Sequence, residues 1–136
     1  GDVVRVPGSH ATLLDARTMG ANVRVVYSPV DAVALARSHP DVEVVFFAVG
    51  FETTATATAT AVCQAARDGV KNFSVIAAHV LVPTAMSAIL DSPLCTVQAL
   101  LTPGHLGTVV GCREYAEVCE RINKVCSLVC GVPLNR

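Results

Sequence analysis

The sequence predicts an α/β fold, a three-layer sandwich with a mainly parallel sheet, from three observations. Short β-branched runs alternate with helix-like stretches, and Gly or Pro separates most of them. One run, Val44-Val45-Phe46-Phe47-Ala48-Val49, is apolar without a break and turns polar at Gly50-Phe51-Glu52-Thr53-Thr54, where an alanine-rich helical pattern begins. A strand covered on both faces by helices has that character. Helical stretches of about 10–15 residues between strands imply crossover connections and parallel neighbours. The architecture is Rossmann-like, although no glycine-rich dinucleotide fingerprint follows any strand.

The first helix is expected to start at a Ser9 cap, run through Leu13 and Leu14 to Met19, and end at Gly20. Residues 23–27 (VRVVY) then read as a strand. Ser28-Pro29-Val30-Asp31 supplies an N-cap hydroxyl, a proline at the first helical position and a carboxylate at the third, so a helix is expected from Ser28. Residues 42–49 form the next strand. Thr53 or Thr54 is expected to cap the following helix, which reaches Arg67 or Asp68 and stops at Gly69. The Thr/Ala alternation at 54–61 has the period of a strand, yet 63–67 continue it as helix, and no turn separates it from the preceding run. Further strands are expected at 73–77, 97–101 and 125–129, with a short helix at 84–90 and another at 114–123.

A chain of 136 residues, 52% apolar, can bury one ordinary core, so a single α/β domain is the default reading of residues 1–136. With 10 Lys and Arg against 11 Asp and Glu, no field of either sign is available to hold a phosphate backbone, and with no Trp there is little for bases to stack on. Nucleic acid is therefore not an expected partner. Every apolar stretch is interrupted before transmembrane length and no signal core opens the chain, which points away from a membrane and to the cytoplasm.

In a parallel sheet the carboxyl ends of the strands share one edge, where open α/β sheets place their chemistry. That rule gathers Ser9-His10, Ser28, Gly50 to Thr54, His79 and Pro103-Gly104-His105. His39, beside Pro40, falls on the opposite edge and reads as structural. Gly50 would let the backbone leave its strand, and the amides at the start of the next helix would present donors to an anion or thiolate. Glu52 could orient an imidazole, exchange a proton or simply cap the helix. His79 could serve the same site or be a satisfied core group. Two histidines and one carboxylate fit an acid–base or metal site, but spacing alone does not establish one. Six cysteines are present, at 63, 95, 112, 119, 126 and 130, without a Cys-x-x-Cys knuckle. Core packing accounts for them best, and no metal ligand is assigned among them.

Six blocks in unbroken order carry a resemblance: DVVRVPGS at 2–9, VYSPVDA at 26–32, FFAVGFETT at 46–54, NFSV at 72–75, HVLVPTAM at 79–86 and PGHL at 103–106. Together they resemble the HypD family of hydrogenase maturation proteins. The resemblance implies a central fragment of a larger, two-lobed α/β protein that helps assemble the iron cyanide/carbonyl centre of nickel-iron hydrogenases. It also implies two partners, a small HypC-like chaperone and a HypE-like protein that supplies cyanide. The family's Cys-Pro-x-Cys segment would precede Gly1, and the cysteines of its 4Fe-4S cluster would follow Arg136. Neither the iron nor the cluster is therefore expected to be held by this fragment alone.

By the same resemblance Glu52, His79 and His105 would act on the iron fragment, while Gly50, Phe51, Thr53, Thr54 and Gly104 would shape the cleft around it. The chain departs from the family pattern at Thr84, at Thr56 and in Cys130-Gly131-Val132-Pro133-Leu134, where a Gly-Phe-Glu-Pro ending is usual. Two other functions fit the residues. One is a non-catalytic module binding a protein or small anion, and the other an independent small α/β enzyme with a histidine base.

Overall fold

The computed structural model describes residues 2–104, 111, 113–122 and 125–129. The chain divides into two compact units, Gly1–His79 and Val80–Arg136.

The first unit opens with a 3-10 turn, Asp2–Arg5, followed by α1 (Leu13–Thr18), which packs against it. The cap of α1 is Thr12 rather than Ser9. The Thr12 hydroxyl accepts the Asp15 amide at 3.1 Å while the Asp15 carboxylate accepts the Thr12 amide at 2.9 Å. Ser9 has no acid three residues on and cannot close such a box. The hydrogen bonds from the Thr12 hydroxyl and backbone hold the Asp15 carboxyl below its ordinary value of 3.8. A depressed carboxylate stabilises the fold above its ordinary value, and that contribution is lost as pH falls through the lowered one. NMR titration should place the Asp15 midpoint below the usual carboxylate range, and Thr12→Val, which removes the hydroxyl but keeps the backbone N–H, should raise it part of the way back.

Helix α2 (Pro29–Ser38) begins as the sequence predicts. The Ser28 hydroxyl accepts the Val30 amide at 3.3 Å and Asp31 accepts the Ser28 amide at 3.0 Å, with Pro29 where its missing N–H costs nothing. Strand β1 (Val44–Phe51) leads directly into α3 (Glu52–Arg67), and β2 (Phe73–Val80) is the hydrogen-bonded neighbour of β1. The threonine–alanine stretch is helical, as expected. Gly20 and Gly69, at φ +98° and +67°, end α1 and α3 in the left-handed conformation that costs glycine little.

Helices α2 and α3 pack on each other and on β1. Their buried contacts are small: Ala32, Val33 and Ala36 from α2, Thr58, Ala61 and Ala65 from α3, and Ala48 from β1. Val70 and Phe73 close the cluster around Val33. Arg37 of α2 pairs with Asp68 at the end of α3, joining the two helices on the surface. Burial along β1 alternates, with Val44, Phe46, Ala48 and Gly50 covered to different degrees while Val45, Phe47, Val49 and Phe51 stay exposed. The expectation of cover on both faces is therefore met on one face only, and this unit has one helical layer on a two-stranded sheet.

Residues 23–27 are not a strand, contrary to expectation. Their β-branched side chains suit a pleated surface, but strand formation needs a paired neighbour, and the Val23 amide instead donates to the nearby Ala21 carbonyl at 2.8 Å.

The second unit contains α4 (Val82–Leu90), β3 (Ala99–Pro103), α5 (Arg113–Ile122) and β4 (Val125–Val129). Strands β3 and β4 are parallel, in a register that runs from Ala99 opposite Val125 to Pro103 opposite Val129. With α5 between them they form the β–α–β grammar read from the sequence. Val82, Met86 and Leu90, one helical turn apart on α4, pack with Tyr115 of α5, and Cys95, Leu100 and Val118 complete the cluster. Helix α4 starts two residues earlier than expected because Pro83 is well suited to the first turn, and β3 starts two residues later, at Ala99. Among the described residues the strands form two separate pairs rather than one continuous sheet, and no helix is long and apolar enough to cross a membrane.

Candidate functional site

Gly50 through Thr54 form a strand-to-helix junction without a loop. β1 continues through Gly50 and Phe51, so Gly50 does not release the chain from the strand as expected. Phe51, extended at φ −94° and ψ 177°, is the N-cap of α3 and offers no side-chain hydrogen bond. Neither Thr53 nor Thr54 caps the helix. The Thr54 hydroxyl donates back to the Phe51 carbonyl at 2.8 Å, which draws its side chain over Gly50. A Cβ at Gly50 would stand 2.3 Å from the Thr54 Oγ1. What glycine supplies here is room for that hydroxyl.

The first amides of a helix have no intrahelical partner, and they carry the positive end of its dipole. Half-buried Glu52 and exposed Thr53 and Thr54 occupy this first turn of α3. Glu52 has the sign that the dipole favours, and its carboxylate can accept or release a proton.

His79 is the penultimate residue of β2 and half-buried, inside the strand rather than after it. The Val44 amide donates to the Asn72 carbonyl at 2.9 Å, so β1 and β2 begin side by side. Two strands of eight residues paired from their starts also finish at one edge. The structure thus brings Glu52 and His79 to the same edge of this pair. His39 is at the other edge as predicted, ending α2 with its Nδ1 3.1 Å from the Leu35 carbonyl.

Asn72 anchors that opposite edge. Its side-chain amide reaches the carbonyls of Ala36 at 3.0 Å, His39 at 2.9 Å and Val42 at 2.7 Å, tying the end of α2 to the start of β1. Sequence reasoning missed this role. The available signal was an asparagine placed between the Gly69 stop and a β-branched run, a position that favours side-chain bonds to backbone.

Gly104 is buried just beyond β3 in the second unit, and His105 lies outside the described residues. Among the described residues no group of three or more His, Cys, Asp or Glu could hold a metal ion. Cys63 is exposed on α3, whereas Cys95 is partly buried in the second unit. A 4Fe-4S cluster needs several thiolates converging on one point, and the described residues do not fit it.

A family model named HypD, described as the hydrogenase formation hypA family, matches residues 1–133. The hydrogenase maturation factor HypD of Rhodobacter capsulatus is 48% identical over 124 residues, covering 91% of this chain and 33% of that protein. Its namesake in Azotobacter vinelandii is 50% identical over 122 residues, covering 85% of this chain and 32% of that protein. The Escherichia coli K12 HypD is 45% identical over 116 residues, with 85% and 31% covered. The chain thus spans about a third of the length of these relatives. No solved structure matches. A match across nearly the whole chain, repeated in several relatives above 40% identity, establishes that the chain belongs to the HypD family of hydrogenase maturation proteins.

Proposed function

We propose that this chain forms part of a metallocentre assembly factor that supports construction of the iron cyanide/carbonyl centre of nickel-iron hydrogenase. The observation that carries the reading is the family match over residues 1–133. The common edge of β1 and β2, with Glu52 and His79 on it, is the place on this chain where such chemistry fits best. Iron is cargo in this reading. Glu52 orients a neighbouring imidazole or exchanges a proton with a ligand of the iron fragment, and His79 contacts those ligands or a cysteine that presents them. Gly50 and Phe51 set the backbone, and Thr53 and Thr54 line the first turn of α3.

A HypC-like chaperone and a HypE-like cyanide donor are the partners this function requires. Electron input from a 4Fe-4S cluster would come from other parts of the full-length protein. There the exposed face of β1 would be covered by further helices, giving the three-layer arrangement, because sheets joined by helical crossovers bury both faces.

The test is complementation of a strain lacking its HypD gene, scored by nickel-iron hydrogenase activity. In the full-length gene, Glu52→Gln and His79→Ala should each lower activity by roughly a hundredfold, the scale of a lost acid–base group, while leaving the protein folded and abundant. Residues 1–136 alone should not rescue. Wild-type activity in both variants, or equal rescue by the fragment, defeats the proposal.

A further inference from the structure

Helices α1 and α2 begin alike. At each, the third helical residue, Asp15 or Asp31, accepts the backbone amide of the cap residue, and the cap hydroxyl accepts an amide of the first turn. At α3 the third position holds Thr54 and the cap is Phe51, whose side chain makes no such bond. The bond there goes to the other backbone group of the cap: the Thr54 hydroxyl donates to the Phe51 carbonyl at 2.8 Å.

That carbonyl lies in one rigid plane with the Glu52 amide, because the peptide bond joining Phe51 to Glu52 does not rotate freely. Holding its oxygen therefore fixes the plane from which the Glu52 Cα departs. Thr54 takes up this position by lying against Gly50, where an added Cβ would stand 2.3 Å from Oγ1 and 3.2 Å from Cγ2. A side chain at residue 50 would push the hydroxyl off the carbonyl. Gly50, Thr54 and the Phe51–Glu52 peptide thus form one mechanical unit, and Glu52 is the group it carries.

We propose that Thr54 is a positioning residue for Glu52: its hydroxyl locks the Phe51–Glu52 peptide and so sets how Glu52 stands on the edge it shares with His79. A hydroxyl has a single hydrogen to donate. With that hydrogen given to Phe51, Thr54 acts on the iron fragment through Glu52 rather than by donating to it. The lock does not depend on any function, whereas its bearing on activity rests on the role proposed for Glu52 above.

Two variants of the full-length protein test this. Thr54→Val keeps the shape and removes the donor, whereas Thr54→Ser keeps the donor. The amides of Ala55 and Thr56 close the first turn of α3. In Thr54→Val their hydrogen exchange should quicken about threefold to tenfold, the scale of one ordinary hydrogen bond, and in Thr54→Ser it should stay within about twofold of wild type. Unchanged exchange in Thr54→Val, or equal quickening in both variants, overturns the lock. In the complementation assay Thr54→Val should lower hydrogenase activity about tenfold, the cost of a misplaced group, with Thr54→Ser close to wild type. The same change made on top of Glu52→Gln should cause no further loss, because residues that act as one unit are not additive. An equal further loss would show that Thr54 does not act through Glu52 and overturns the positioning role. Wild-type activity in Glu52→Gln alone defeats the proposed function instead, and exchange then decides the lock by itself.

Discussion

Replacing Asn72 with alanine should destabilise the protein by about 3 kcal/mol, among the larger effects available to a single polar side chain. Its amide has two hydrogens for three carbonyls, those of Ala36, His39 and Val42, so at least one bond is shared. Truncation strips a donor from all three at once. Burying an unsatisfied carbonyl costs roughly 1–3 kcal/mol. Water can reach the exposed His39 and Val42 positions and offsets part of that sum, whereas the bond to Ala36 is partly buried. Urea denaturation should show a lower midpoint with an unchanged slope, the signature of lost stability without a change in the surface exposed. Asn72→Asp should be at least as damaging, since it aims a carboxylate at three carbonyl oxygens. A loss below about 0.5 kcal/mol, the scale of an ordinary surface change, would show that the three bonds do not act as an anchor.

Gly50→Ala should cost about 1–3 kcal/mol, the usual scale of overpacking. The new methyl group would lie 2.3 Å from Thr54 Oγ1 and 3.2 Å from Thr54 Cβ. To make room the threonine must rotate, which breaks its 2.8 Å bond to the Phe51 carbonyl and loosens the first turn of α3. Thr54→Ala removes the closest atom and leaves only the milder contact with Cβ. The double variant Gly50→Ala/Thr54→Ala should therefore be more stable than the sum of the two single changes predicts, a coupling read from a double-mutant cycle. Strict additivity would mean that the clash is relieved elsewhere and that Gly50 is not matched to Thr54. In the full-length protein the single variant should also reduce hydrogenase maturation, because Glu52 moves with the turn.

These two residues also mark how far the sequence could be read. Where a feature depended on neighbours three or four residues away, reading succeeded: the Ser28-Pro29-Asp31 cap, the glycine stops at 20 and 69 and the helical nature of the threonine–alanine stretch are all present. The cap of α1 was misread as Ser9, although of Ser9 and Thr12 only Thr12 has an acid three residues on. At α3 the habit of seeking a hydroxyl cap failed because the extended backbone of Phe51 begins the helix and Thr54 turns back on it. Residues 23–27 have strand chemistry without a ladder, since pairing is a non-local event that no window of sequence contains. The edge position of Glu52 was legible from the end of an apolar run. The link of His79 to it, by contrast, depends on which ends of β1 and β2 meet, and only the Val44–Asn72 bond fixes that.

The alanines between α2, α3 and β1 have a consequence for which changes this chain can absorb. Ala32, Ala36, Ala48, Ala61 and Ala65 bring helix axes and strand close together with almost no side chain left to remove. Such a seam is nearly immune to loss of volume and intolerant of gain, because each added methyl must push an entire helix outward. Mutational pressure on it is therefore one-sided. In this chain, enlarging Ala36 or Ala61, both fully buried, should therefore cost more than substitutions at the exposed rims of the same elements.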